Sequence, residues 1–198
     1  NLNFIRFDCR GHGKSEGKFE EFTISDWRKD LLDIIDNIAK GPQILIGSSM
    51  GGWLMMLAAK ARPQRIKGMI GLAAAPDFGK ELFNALNKKN KKEINSKGIT
   101  KYSSYGFSYY LNKKFFIDAE QNRVLKKPFR FSKPLILIHG LKDNVVKEDV
   151  PRKILKKVTG KNVNIIYLKE SDHRLSSDTD LIMITHSIDF IRNLKKYL

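Results

Sequence analysis

Four compact apolar runs punctuate the chain: "QILIGS" from Gln43, "IKGMIGLAA" from Ile66, "LILIHG" from Leu135 and "VNIIYL" from Val163. None alternates with polar residues, which is how strands buried on both faces of a parallel sheet read. A fifth run, Leu2 to Phe7, predicts a short strand leading into a glycine-rich turn. Between the runs the period changes. In "TISDWRKDLLDIIDNIAKGP" the residues Ile24, Trp27, Leu31, Ile34, Ile35 and Ile38 recur at helical spacing. Thr23 with Asp26 forms a capping-box pattern, and Gly41-Pro42 stops the helix. Near the carboxyl end, Leu181, Ile184, Ile188, Ile191 and Leu194 make one apolar stripe, expected to pack on the sheet.

Strands alternating with helices imply an open, mostly parallel α/β sheet with flanking helices. Residues 77–133 break the rhythm, being basic and then aromatic with no buried-strand run, and are expected to form a partly helical cap inserted in a single domain spanning 1–198. The length of 198 residues supports one core of ordinary size.

Composition narrows the partners. The formal charge of +16, from 37 Lys+Arg against 21 Asp+Glu, would suit nucleic acid or an anionic surface. The dense cluster "NKKNKKEINSKGITK" (Asn87 to Lys101) carries no zinc finger and no aromatic-bearing basic sheet motif, so no nucleic-acid partner is expected. Weak contact of the basic cap with an anionic membrane stays open, as does the oligomeric state. A single cysteine, Cys9, excludes an internal disulfide and a multi-cysteine metal site, which with the absence of a secretory pattern predicts a cytoplasmic location.

The candidate chemistry begins at Gly47-Ser48-Ser49-Met50-Gly51, a G-x-S-x-G match. The bare pattern is weak, arising in roughly one chain of fifteen at this length if each named residue has a frequency of about 7%. Its context is specific: an apolar strand ends at Gly47 and a helix runs from Met50 toward Pro63. A sharp strand-to-helix turn would present the Ser49 hydroxyl at the sheet tip, with Gly47 and Gly51 lacking Cβ atoms that would clash. Serine needs a base at neutral pH, and an imidazole base needs a carboxylate to orient it.

Of the four histidines, His186 lies inside the last helix and His12 precedes the serine. His139, at a strand end, is expected to pack or cap. His173, in "KESDHR", follows the strand "VNIIYL". Asp143, in "LILIHGLKDNVV", likewise follows a strand, whereas its rival Asp172 is adjacent to the histidine and poorly placed to reach Nδ1. Ser49, Asp143 and His173 are the expected nucleophile, acid and base, each placed after a strand at the edge where open α/β sheets build sites.

On "FDCRGHGKSEG", "GSSMGGW", "HGLKDNVV" and "SDHR", in that order, the chain resembles the α/β-hydrolase superfamily, and most nearly its palmitoyl-protein thioesterase and acyl-glucuronide esterase branch. The resemblance implies a carboxylic ester or acyl thioester substrate, a small molecule or a lipidated protein, and no cofactor or metal. It implies a backbone oxyanion donor at Met50. It also aligns "NFIRFD" with the fourth strand of that fold, so strands one to three, and the loop bearing the second oxyanion donor, are expected to be missing from this chain. Residues Asn3 to Asp8 would then slide against "QILIG" or leave their polar groups unpaired. Two alternatives to an active esterase follow: an inactive or weakly active remnant, and a serine aminopeptidase-like hydrolase. Tyr102, Tyr105, Phe107, Tyr109, Phe115 and Phe116 are candidates to cover an acyl group, or else to pack on one another.

Overall fold

A computed structural model of the chain describes residues 3–104 and 107–194. They divide into two compact units, Asn1–Ala39 with Asp77–Arg123, and Lys40–Pro76 with Val124–Leu198.

The second unit is built on four parallel strands. They are β1 (Gln43–Ser48), β2 (Ile66–Leu72), β5 (Leu135–Gly140) and β6 (Val163–Leu168), in the order β1-β2-β5-β6. All four coincide with the apolar runs, but their burial differs. Every residue of β5 is buried and so is most of β2, whereas Ile46 of β1 is 37% exposed and β6 is mostly half-buried. Among the described residues β1 and β6 are the edge strands, so the expectation of burial on both faces holds for the two central strands alone.

Helix α2 (Met50–Ala61) buries eight consecutive residues, Gly52 to Ala59. A helix apolar on all sides belongs inside a core. Helices α6 (Val150–Lys157) and α7 (Asp178–Asn193) complete this unit. Ile70, Ala73, Ile136, Ile138, Leu175 and Ile191 form a buried cluster there, with Ile184 and Ile188 partly buried against it. The expected stripe on α7 therefore packs inward at Ile184, Ile188 and Ile191 but not at Leu181, which is 51% exposed, and Asp180 and Ser187 share the buried face with Ile191. Asp180 can occupy that face because its carboxylate accepts hydrogen bonds from the Ser171 hydroxyl and the Ser177 N–H.

In the first unit, α1 (Ile24–Asn37) starts at the expected capping box, with the Thr23 N–H donating to Asp26 at 2.9 Å. Ile24, Trp27 and Ile35 are buried, while Ile38, just past the last turn, is 58% exposed. Residues 77–123 supply α3 (Gly79–Ala85), α4 (Lys88–Lys97), the antiparallel pair β3 (Ile99–Ser104) and β4 (Phe107–Asn112), and α5 (Lys113–Gln121). The hairpin is an element that the expectation of a partly helical cap did not specify. Its strands are rich in tyrosine and serine rather than aliphatic residues, so no apolar run marks them.

Residues 3–9 form no strand, contrary to the reading of Leu2 to Phe7. Phe4 is 77% exposed and Ile5 42% exposed. A strand needs a ladder for its backbone groups, and among the described residues this segment pairs with none. The loop that follows is tied to α1. The Arg10 guanidinium donates to Asp30 at 2.7 Å, and the Trp27 indole N–H donates to the Arg10 carbonyl at 2.9 Å.

Candidate active site

The turn from β1 to α2 is tight enough to constrain its sequence. A Cβ on Gly47 would stand 2.3 Å from the Gly51 carbonyl oxygen, and one on Gly52 would stand 2.4 Å from the Ala74 Cβ. A Cβ on Gly51 would meet nothing within 4 Å beyond its chain neighbours and its own helix backbone among the described residues, so the close approach expected there falls one residue later. Ser49 adopts φ 51 and ψ −118, a backbone conformation that costs an L-residue energy. Neighbouring backbone holds it there: the Ser49 N–H donates to the Leu72 carbonyl at 2.9 Å, and the Ala75 N–H donates to the Ser49 carbonyl at 3.0 Å. Met50 opens α2, so its N–H belongs to the first turn, whose donors lack intrahelical acceptors and lie at the positive end of the helix dipole.

Asp143 and His173 are brought together from the loops after β5 and β6. The His173 Nδ1 lies 2.9 Å from the Asp143 Oδ2, with the Asp143 side chain fully buried and that of His173 23% exposed. The other oxygen, Oδ1, accepts the N–H groups of Val145 at 2.8 Å and Val146 at 2.9 Å. Both oxygens are thus occupied, which fixes the carboxylate plane and directs Oδ2 at the imidazole. Asp172 is engaged elsewhere, accepting the Arg174 N–H at 2.8 Å, so it serves the local turn.

One feature of this region carries no sequence signal of its own, and a second, His139, packs at its strand end as expected. The first is a clamp on the histidine loop. The Ser171 carbonyl accepts the Lys142 N–H at 3.0 Å and packs so closely on Gly140 that a Cβ there would meet it at 2.2 Å. The Ser171 hydroxyl donates in turn to Asp180 on α7. Ser171 therefore ties the histidine loop to the acid loop with its backbone and to α7 with its side chain. Burial pushes the Asp180 carboxyl up, but the hydrogen bonds from Ser171 and Ser177 outweigh it and hold the group below the usual carboxylate range.

The second feature is His139. Its ring is fully buried, with Nε2 3.8 Å from the Asp143 Oδ2, and neither ring nitrogen has a hydrogen-bond partner among the described residues. Burial pushes this imidazole below the ordinary histidine range, more than the nearby Asp143 raises it. Burial thus favours the neutral form of His139, which packs edge-on to Tyr167 at 6.2 Å.

The remaining candidates fall in the first unit or on α7. His186 is exposed on α7, and His12 packs between Phe19 and Trp27. Tyr102 and Tyr109 face each other across the hairpin at 5.5 Å, and Tyr109 also meets Phe19. Phe115 is buried against Trp27, Phe78 and Phe116. Phe107 begins β4, and Tyr105 lies outside the described residues.

Residues 1–102 match the serine aminopeptidase S33 family. The chain is 42% identical over 190 residues to the mitochondrial palmitoyl-protein thioesterase ABHD10 of Bos taurus, covering 94% of this chain and 62% of the bovine protein. With its Homo sapiens counterpart it is 42% identical over 189 residues, covering 93% and 61%. It thus spans about three fifths of the length of these relatives. Among solved structures, alpha/beta hydrolase domain-containing protein 10 from mouse superposes with a TM-score of 0.85 at 36% identity, over 95% of this chain and 76% of that one. Est1E from Butyrivibrio proteoclasticus, solved with ferulic acid bound, has the same fold, with a TM-score of 0.74 at 24% identity over 95% and 76%.

The mammalian relatives are mitochondrial by name, which overturns the expectation of a cytoplasmic location. One free cysteine reports on redox conditions, and the cytosol is only one of several reducing compartments. The α/β-hydrolase fold, the family match over the first 102 residues and the mouse structure agree: the chain belongs to the serine aminopeptidase S33 family of α/β hydrolases.

Proposed function

We propose that this chain carries the nucleophile, acid and base of a serine hydrolase that cleaves a carboxylic ester or acyl thioester through an acyl-enzyme. The observation that supports it most is the buried Asp143 carboxylate holding the His173 Nδ1 at 2.9 Å, in a sequence that also places Ser49 on a strained strand-to-helix turn. With Nδ1–H donated to Asp143, the His173 Nε2 is left as the basic nitrogen. It takes the Ser49 proton as the oxygen attacks the acyl carbonyl, and the Met50 N–H stabilises the developing oxyanion. The imidazolium then protonates the departing thiolate or alkoxide, and water repeats the sequence in reverse to free the acid and regenerate Ser49.

The thioester as a candidate substrate draws on the bovine and human relatives, palmitoyl-protein thioesterases by name. The family description favours a second reading, hydrolysis of an amino-terminal peptide bond by the same three residues. Side-by-side turnover of an S-acyl thioester, a p-nitrophenyl ester and an aminoacyl coumarin amide separates the two. Ester or thioester cleavage that disappears in Ser49→Ala, with the amide untouched, is the expected result. Cleavage that survives in Ser49→Ala overturns the assignment, and preferential cleavage of the amide transfers it to the aminopeptidase reading.

A further inference from the structure

The first unit contains a cavity of about 540 Å³ lined wholly by its own residues, between α3, the end of α4 and α5. Its size falls within the range of small-ligand pockets, roughly 300–1,000 Å³. Small residues meet in its lining: Gly79 approaches Ala119 so closely that a Cβ would stand 2.7 Å from the alanine Cβ. Buried Ile94 continues the floor. Phe83 and Phe116 meet edge-to-face at 5.2 Å in the wall, and Ile117 leaves 52% of its surface exposed at the mouth.

The polar groups around this apolar trough are unevenly matched. The lining carries two carboxylates, and Arg123 engages both, at 3.1 Å from Glu120 and 3.8 Å from Asp77. Lys80 and Lys113 are exposed, and among the described residues neither has an ion-pair partner. A third ammonium, Lys91, sits 5.9 Å from the centre of the Phe83 ring and donates to the Asn84 carbonyl. An apolar trough with two uncompensated ammonium groups at its rim complements a ligand with one anionic head and an aliphatic tail.

We infer that this cavity binds a free long-chain carboxylate, its tail between Phe83, Phe116 and Ile117 and its head between Lys80 and Lys113. The site uses none of Ser49, Met50, Asp143 and His173, although it takes in Phe116 from the aromatic residues considered for acyl cover, and it goes beyond the hydrolase reading. The test is fluorescence titration with 11-(dansylamino)undecanoic acid below its micellar concentration, on the full chain, checked for fold by circular dichroism. The expected result is saturable one-to-one binding that weakens about tenfold in Lys80→Glu/Lys113→Glu and by a similar factor for the methyl ester of the probe, since charge-assisted contacts are lost. Ile117→Asp, at an exposed position, should weaken it comparably, and Ser49→Ala should leave it unchanged.

Absence of saturable binding to the folded chain overturns the inference. So does an affinity indifferent to the lysine and isoleucine substitutions, or one abolished by Ser49→Ala, which would place the probe at the hydrolytic serine. Binding to phosphatidylglycerol vesicles without binding of the monomeric probe would assign the lysines to a membrane surface instead. Concentration-dependent dimerisation that excludes the probe would assign the trough to a second copy of the chain.

Discussion

Replacing Ser49 by glycine should stabilise the protein relative to replacing it by alanine. Both variants lose the hydroxyl, so their difference isolates the Cβ. At φ 51 and ψ −118 a Cβ crowds the adjacent peptide, and conformations of this kind cost about 1–3 kcal/mol. Glycine relieves that strain but gains freedom in the unfolded chain, which offsets about 0.5–1 kcal/mol. The remainder favours glycine by about 1 kcal/mol, or roughly 2–4 °C in melting temperature for a chain of this size. Thermal and urea unfolding of Ser49→Gly and Ser49→Ala measure it directly, without requiring any substrate. A glycine variant equal to or less stable than the alanine variant would show that the turn is not strained. The hydrogen bonds from Ser49 to Leu72 and from Ala75 to Ser49 would then be a consequence of the turn rather than what holds it.

Three further outcomes follow from the same region. Asp143→Asn should slow reaction with an active-site probe by about 10³–10⁴-fold while leaving the chain folded, because an amide cannot hold the imidazole in the required tautomer; a loss below tenfold would remove Asp143 from the proposed mechanism. Asp180→Asn should cost about 1–3 kcal/mol in urea unfolding near neutral pH, because a buried acceptor of the Ser171 and Ser177 donors is lost. The depressed carboxyl contributes stability that is present above its unfolded pKa of about 3.9 and is lost as pH falls through the lower folded value, so the penalty should shrink in strong acid. His139 works in the opposite sense to a paired histidine: its folded pKa lies below the unfolded value of about 6.5, so the unfolded chain binds the extra proton and stability falls as pH drops below that value. His139→Phe should flatten the decline in melting temperature between about pH 6.5 and 5, and an unchanged slope would contradict a buried neutral imidazole.

How much was legible depended on which force placed each residue. The central strands β2 and β5 were readable because burial on both faces demands an unbroken apolar run, and all six residues of β5 are buried. The same logic overstated β1, an edge strand among the described residues with Ile46 partly exposed, and misread residues 3–9, whose backbone joins no ladder among the described residues. The β3–β4 hairpin was missed because its pairs, such as Tyr102 with Tyr109, are held by ring contacts and backbone bonds rather than by an aliphatic face. On α7, Leu181 was expected in the apolar stripe but is exposed, while Asp180 is buried through hydrogen bonds that hydropathy does not register.

In the site, the loops after β5 and β6 could be located because strand ends delimit them, and the proximity of Asp143 to His173 follows from β5 lying beside β6. The roles of Ser171 and Gly52 could not be found this way. Ser171 acts through its carbonyl and a contact with a helix several residues downstream, and Gly52 is needed because of Ala74, more than twenty residues away in sequence. Contacts of that kind are properties of the folded chain.

The central claim is that Ser49 is a nucleophile activated by His173. The most direct measurement is to treat the purified chain with a fluorophosphonate and map the adduct by peptide mass spectrometry, alongside Ser49→Ala and His173→Ala. The account predicts one adduct on Ser49, absent in the first variant and slowed at least about a thousandfold in the second. An adduct on the neighbouring Ser48, labelling that ignores loss of His173, or no adduct on a folded chain would contradict it.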